Sequence, residues 1–203
     1  DRPVQFPALG PDDTVFVTSW PGNEPACVRA IDPADGTRRW ESLTGAPVAT
    51  RLAVGADGTV YTALSDRRLV AWNGRTGVRR WEISFAGSDG LTAPAVSLDG
   101  NVYIVRGHVV HALNGATGRQ RWESALGTNA AYSFAPSIGD DGTVYVGRAM
   151  SGGGTGSGRV HALDGATGRI RWSYDGGQAV ANSPTVGPDG TLHVVSGVTG
   201  WAA

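Results

Sequence analysis

One eleven-residue segment recurs four times, and it decides what this chain can fold into. It runs Ala30-Ile-Asp-Pro-Ala-Asp-Gly-Thr-Arg-Arg-Trp40, Ala71-Trp-Asn-Gly-Arg-Thr-Gly-Val-Arg-Arg-Trp81, Ala112-Leu-Asn-Gly-Ala-Thr-Gly-Arg-Gln-Arg-Trp122 and Ala162-Leu-Asp-Gly-Ala-Thr-Gly-Arg-Ile-Arg-Trp172. The four Trp residues are 41, 41 and 50 positions apart. A second segment begins at Pro7, Leu52, Pro94, Pro136 and Pro184, and reads most fully as Pro94-Ala-Val-Ser-Leu-Asp-Gly-Asn-Val-Tyr103. Two signatures alternating at one period identify a repeat protein.

Each unit reads as four short strands. The first runs into Asp-Gly, at Asp57-Gly58, Asp99-Gly100, Asp141-Gly142 and Asp189-Gly190, a strong hairpin signal between apolar alternations. The first copy departs from it with Asp12-Asp13. A second strand follows, such as Thr143-Val-Tyr-Val146, and a third carries Val110-His-Ala-Leu113 or Val160-His-Ala-Leu163. The Asn/Asp-Gly-x-Thr-Gly stretch then turns the chain into a fourth strand ending near the Trp. No helical periodicity survives three turns, because Gly interrupts it throughout. A four-stranded unit at a 40–50-residue period predicts an all-β β-propeller of four-stranded antiparallel blades. The repeats span 7–43, 52–85, 93–126 and 135–175, with part of a fifth at 183–197.

The fixed Ala-to-Trp spacing asks for a physical reason. A buried Trp removes about 150–250 Å² from water, worth about 4–6 kcal/mol, and its indole N–H needs an acceptor. The expected docking set is therefore Trp40, Trp81, Trp122 and Trp172, with Ala30, Ala71, Ala112 and Ala162 and the turn glycines Gly36, Gly77, Gly118 and Gly168. A Trp on each outer strand, meeting a small Ala and a Gly turn, keys one blade onto the next.

On these residues the chain resembles the quinoprotein-like propeller superfamily and its tryptophan-docking motif. That family includes pyrroloquinoline-quinone (PQQ) dehydrogenases, the lipoprotein scaffold of outer-membrane β-barrel assembly, and propellers attached to bacterial kinases. The third and fourth units match best. The first has Pro33 for Gly and Asp35 for Thr, and the second has Trp72 where Leu or Ile stands elsewhere. The motif is structural and carries a fold without an activity. Rings of this family resemble seven- or eight-bladed propellers. Four units and part of a fifth leave three arrangements open: part of a longer chain, copies associating into a ring, or a small ring closed on itself.

The resemblance also sets the terms of an enzyme reading. PQQ dehydrogenases pair the quinone with Ca²⁺ held by acidic and amide oxygens, and use an Asp as base. The adjacent-Cys disulfide of many members is absent, since Cys27 is the only cysteine. The loops entering the innermost strands offer Arg51, Asp89, Thr92, Asn129, Tyr132, Gln178 and Asn182, of which Asp89, Asn129 and Asn182 are an oxygen-rich candidate corner. The plainer reading takes them as solvated loop residues. His111 and His161 fill a repeat slot held elsewhere by Arg29 and Val70, and His193 fills that of Tyr61, Tyr103 and Tyr145, which marks packing positions and not a metal site. Ser151-Gly-Gly-Gly-Thr-Gly-Ser-Gly158 lacks the Gly-Lys-Ser/Thr ending of a phosphate loop and reads as a hairpin extension. Tyr132, Phe134 and Trp201 are the aromatics a carbohydrate would stack on.

Composition narrows the partners. A net charge of −1, with 17 basic residues that are all Arg, argues against nucleic-acid binding and points to a GC-rich coding bias. No apolar run reaches membrane-spanning length, and no basic-then-apolar leader opens the chain. Arg39, Arg80, Arg121 and Arg171 each precede a motif Trp, as edge protection or as a basic rim for acidic partners. The expectation is a non-catalytic scaffold or extracytoplasmic sensor that binds a protein, with no cofactor. The alternative is a fragment of a PQQ- and calcium-dependent dehydrogenase. The resemblance implies a periplasmic or extracellular site of action.

Overall fold

In a computed structural model of the chain, the described residues are 4–19, 25–127, 130–150, 158–176, 180 and 182–195. The four hairpin Asp-Gly pairs make the same turn. Gly58, Gly100, Gly142 and Gly190 have φ of 76°, 79°, 76° and 79°, a left-handed region that a Cβ disfavours. Only the Gly is left-handed, so these are not two-residue turns with both centres at positive φ. Gly58 N–H instead closes onto Gly55 O at 2.8 Å, and Asp57 accepts both the amide and the hydroxyl of Thr59 at 2.9 and 2.7 Å. The same carboxylate clasp recurs from Asp141 to Thr143 and from Asp189 to Thr191. In the first copy Asp13 itself takes the left-handed position, at φ 61°. Asp is among the few residues that do so at modest cost.

These turns punctuate four complete sheets and a fragment. The first sheet holds β1 (Val4–Leu9), β2 (Val15–Ser19), β3 (Cys27–Ile31) and β4 (Arg38–Leu43). The second holds β5 (Ala53–Val54), β6 (Thr59–Ala63), β7 (Arg68–Asn73) and β8 (Arg79–Ser84). The third holds β9 (Ala95–Val96), β10 (Asn101–Arg106), β11 (Val109–Asn114) and β12 (Gln120–Ala125). The fourth adds an unanticipated strand: β13 (Ala130–Ser133) and β14 (Ser137–Ile138) both pair with β15 (Thr143–Met150), followed by β16 (Gly158–Asp164) and β17 (Ile170–Asp175). A last pair, β18 (Thr185–Val186) and β19 (Leu192–His193), completes the described strands. The first, second and fourth sheets and the last pair are antiparallel throughout their registers.

The chain divides into two compact units, one of Asp1–Val102 with Leu113–Gln120 and the other of Tyr103–Ala112 with Arg121–Ala203. In the first, β6 is buried at all five residues, so its sheet is covered on both faces. Its core gathers Phe16, Val28, Val60, Leu64, Val70 and Trp72. Trp72, the departure in the second unit, is thus a core residue. In the second compact unit Tyr103, Val110, Leu126, Val144, Val146 and Leu163 form the corresponding cluster. Fourth strands are the exposed ones: β4 and β8 show only part of each residue set covered, and β17 is exposed at all six.

Candidate functional site

The recurrent Asn/Asp-Gly-x-Thr-Gly stretch folds as a closed turn. Asn73 Oδ1 accepts the amides of Arg75 and Thr76 at 3.0 and 3.1 Å, and Gly77 N–H returns to Asn73 O at 2.8 Å. Asp164 does the same for Ala166 and Thr167. The turn ends in a left-handed Gly, with φ of 73°, 71°, 71° and 74° at Gly36, Gly77, Gly118 and Gly168. A register shift follows three of the Ala residues, between Ala30 and Ile31, Ala71 and Trp72, and Ala162 and Leu163, and this seats the Trp opposite the Ala.

The Ala and the Gly that each Trp meets come from different units. Ala30 pairs with Trp40, Ala71 with Trp81 and Ala162 with Trp172 across one sheet. The indole reaches forward to the turn of the next unit. Trp40 Nε1–H donates to Gly74 O at 2.7 Å, Trp81 Nε1–H to Gly115 O at 2.7 Å and Trp122 Nε1–H to Gly165 O at 2.9 Å. A Cβ on Gly77, Gly118 or Gly168 would stand 2.7, 2.8 or 2.5 Å from ring atoms of Trp40, Trp81 or Trp122. Only Gly admits that approach, on steric grounds as well as backbone ones.

An aromatic of the Trp's own unit holds the ring from the side. Phe16 with Trp40, Tyr61 with Trp81 and Tyr103 with Trp122 each have centroids 5.8 Å apart at 40–45°. This tilted geometry is the one the ring quadrupoles favour. Tyr103 Oη–H also donates to Gly165 O at 3.0 Å, so that carbonyl serves phenol and indole together. Burial pushes the Tyr61 phenol up from its ordinary pKa.

Two departures in the first unit, Pro33 and Asp13, are coupled. A Cβ on Gly74, Gly115 or Gly165 would lie 2.1, 2.4 or 2.2 Å from Gly58 O, Gly100 O or Gly142 O of the same unit's hairpin. Gly74 and Gly115 donate their amides to those carbonyls at 3.1 and 2.9 Å. Pro33 has no amide hydrogen and stands where the hairpin carries Asp13 in place of Gly, so both partners of the bond change at once.

Three of the arginines preceding the Trp, Arg39, Arg80 and Arg171, are occupied within their own sheets. Arg80 binds Asp57 at 2.8 Å and the Thr59 hydroxyl at 2.6 Å, and Arg171 binds Asp164, Asp141 and Thr143 at 2.8, 3.2 and 2.6 Å. Arg39 pairs with Asp32, Asp12 and Thr14. The Arg171 guanidinium, with help from Thr167, holds Asp164 down to about 2.

A second contact, which no sequence motif announces, runs back from one repeat to the one before it. Arg68 Nη2 donates to Thr44 O at 3.1 Å, and Arg148 donates to Leu126 O and, at 3.1 Å, to Gly127 O. Arg148 is 1% exposed, and burial lowers its pKa. The sequence signal is a glycine at the contact: Gly45, next to the Thr44 acceptor, and Gly127, itself an acceptor, each stand five residues after a motif Trp, left-handed at φ 75° and 94°.

Arg51 and Asp89 are exposed, Thr92 is half-buried with its hydroxyl on Ala93 O, and Asn182 Oδ1 accepts the amide of Ser183 at 2.8 Å. Tyr132 lies on β13 opposite Ala149, and Phe134 N–H donates to Gly147 O. Asn129, Gln178, Trp201 and the Ser151–Ser157 stretch lie outside the described residues. No three His, Cys, Asp or Glu of the described residues gather as metal ligands. His161 is buried with Nδ1 2.7 Å from Ser173 Oγ, and burial, then Arg148 and Arg159, depress it to about 4. A cleft of about 240 Å³ lies at the hairpin end of the first joint, lined by Asp12, Phe16, Asp57, Asn73, Gly74 and Arg80 among others.

A family model described as outer membrane protein assembly factor BamB matches residues 25–152 and 106–202. The serine/threonine-protein kinase AfsK of Streptomyces griseus is 36% identical over 110 residues, covering 51% of this chain and 14% of the kinase. AfsK of Streptomyces coelicolor is 32% identical over 110 residues, covering 53% of this chain and 13% of that protein. This chain thus spans a small part of the length of its curated relatives. BamB from Moraxella catarrhalis superposes with a TM-score of 0.64 at 20% identity, over 97% of this chain and 58% of that one. Quinohemoprotein alcohol dehydrogenase from Comamonas testosteroni gives 0.67 at 20% identity, over 95% and 39%. At such identities the likeness is one of fold.

Proposed function

This chain belongs to the PQQ_2 family of quinoprotein-like β-propellers, and on that premise we propose that it is a non-catalytic propeller segment that binds a protein partner. The observation carrying this reading is that its repeated residues make joints: Trp, turn Gly, core aromatic and buried Arg all act between or within sheets. Such joints hold blades rigid while the loops between them vary freely, a surface suited to recognition. Two relatives are named for interaction or signalling, an assembly factor and a kinase, and in the kinase the matched part is a small fraction of the whole. By the same analogy the segment works outside the cytoplasm. No helix among the described residues is long and apolar enough to cross a membrane.

The second reading, a PQQ- and calcium-dependent dehydrogenase segment, needs oxygen donors brought together. What favours the first reading over it is that Asp89 is exposed and that Asn182 Oδ1 already accepts the amide of Ser183.

The test is a photo-crosslinking amino acid placed singly at Arg51, Asp89 and Asn182 of the full chain in its own host. A discrete covalent adduct with one protein, unchanged by added PQQ and Ca²⁺, is the expected result. Absence of any adduct, together with quinone-dependent oxidation of an alcohol, overturns it.

A further inference from the structure

The third hairpin departs from the other copies on both sides of its Asp-Gly pair. Where they have Gly10, Gly55, Gly139 and Gly187 it has Ser97, and where they have Thr14, Thr59, Thr143 and Thr191 it has Asn101. Between these, Leu98 takes the place of Pro11, Ala56, Asp140 and Pro188. The exchange alters what the hairpin carboxylate holds. In three other sheets an arginine of the fourth strand neutralises it, Arg39 at Asp12, Arg80 at Asp57 and Arg171 at Asp141, at 3.5, 2.8 and 3.2 Å. Asp99 accepts neutral donors instead, the Ser97 hydroxyl and Asn101 Nδ2, the second at 2.6 Å, and no ion pair among the described residues includes it. Two of its lone pairs are filled, and its charge stays uncompensated at an exposed tip.

That carboxylate borders a cleft of about 480 Å³ inside the first compact unit, lined by Ala56, Asp57, Tyr61, Leu98, Asp99 and Ala116 among others. Complete repeats, the second and the third, build both of its walls. The corresponding cleft one joint earlier is half as large, about 240 Å³, and balances Asp12 and Asp57 with Arg75 and Arg80. The larger one has two carboxylates in its lining and no basic residue. Asp57 is already held by Arg80, which leaves Asp99 as the unanswered charge. Beside it Leu98 is 86% exposed, the most of the exposed large hydrophobics among the described residues. An aliphatic chain laid along it would remove that apolar area from water.

We propose that this cleft receives an arginine side chain from an extended segment of a protein partner, with its guanidinium on Asp99 and its methylene stem along Leu98. Charge complementarity selects a cation, since the lining offers carboxylates and no base. The other hairpins select which cation: at Asp12, Asp57 and Asp141 the group on the equivalent carboxylate is a guanidinium from within the chain. The stem accounts for Leu98, because arginine covers apolar surface with its methylenes while its head stays hydrated. A planar fork also offers a carboxylate two parallel N–H donors, which a single ammonium does not. The inference rests on the partner-binding reading and names the chemistry that the partner presents.

The experiment follows amide chemical shifts of the isotopically labelled full chain during titration with two capped tripeptides, Gly-Arg-Gly and its uncharged isostere Gly-citrulline-Gly. The expected result is saturable shifts at residues 98–100 and 114–116 with the arginine peptide and none with the citrulline peptide. Asp99→Asn weakens the arginine peptide about fivefold, the scale of a partly exposed ion pair, and Leu98→Ser weakens it as well. The spectrum of each variant reports whether it folds, and Leu98→Ser alters no side chain that bonds to Asp99. Absence of shifts, equal binding of the two peptides, or indifference to both substitutions overturns the proposal. Such a failure alongside a discrete adduct at Arg51, Asp89 or Asn182 removes this cleft and keeps the partner-binding reading. Failure of both experiments removes the two together.

Discussion

Replacing Gly118 by Ala separates the two reasons for glycine in the docking turn. Gly118 has φ 71°, and forcing a Cβ into that region costs roughly 1–2 kcal/mol. The new methyl would also stand 2.8 Å from Trp81 Cδ2, an overpacking contact worth about 1–3 kcal/mol. Gly100 is the control, because its φ is 79° and nothing described lies within 4 Å of its Cβ. Gly100→Ala therefore costs the backbone contribution alone, and Gly118→Ala exceeds it by about 1–3 kcal/mol. Urea unfolding followed by far-ultraviolet circular dichroism measures both. A double-mutant cycle adds the decisive comparison: in a Trp81→Ala background the ring is gone, and the excess cost at Gly118 disappears. Equal costs for the two glycines in the unaltered chain would refute the steric account of the joint.

Other consequences follow from the same geometry. Trp122→Phe keeps most of the apolar contact but loses the 2.9 Å bond to Gly165 O, a loss of about 1 kcal/mol, whereas Trp122→Ala loses about 3–5 kcal/mol, both readable by denaturant unfolding. Arg148→Met leaves the Leu126 and Gly127 carbonyls without their guanidinium and destabilises by about 1–3 kcal/mol, and Lys does not restore it, because one ammonium cannot reproduce the planar fork. His161 has a folded pKa of about 4, below its usual 6.5, so the unfolded chain takes up the proton first. Its contribution is complete above pH 6.5 and is lost as pH falls toward 4, by up to about 3 kcal/mol; His161→Gln flattens the stability profile over that window, measured by unfolding between pH 7 and 4.5.

The fold was legible because its signals are local. Asp57-Gly58 and Asn73-Gly74 mark turns by their own side-chain chemistry, and the Ala71-to-Trp81 spacing marks one hairpin. The joint was legible only in outline. That Trp81 needs a small residue is visible in sequence. That its Ala lies across the same sheet while its Gly lies in the next unit is a three-dimensional fact. The roles of Arg68 and Arg148 are not legible in sequence for the same reason, since each binds carbonyl oxygens 21–24 residues away and carbonyls have no sequence signature. The β13 strand was hidden as well: Ala130–Ser133 pairs with the extended end of β15, beyond the repeat period that organised the reading. The candidate corner of Asp89, Asn129 and Asn182 rested on analogy with an enzyme family, with no spacing of its own to place the three together.

The most direct test of the central claim, that these residues build a binding propeller and not a quinone site, is native mass spectrometry of the full chain after incubation with PQQ and Ca²⁺. The account predicts protein ions, as single chains or assemblies of them, without a stoichiometric quinone or calcium adduct. A one-to-one complex carrying the mass of both would contradict it.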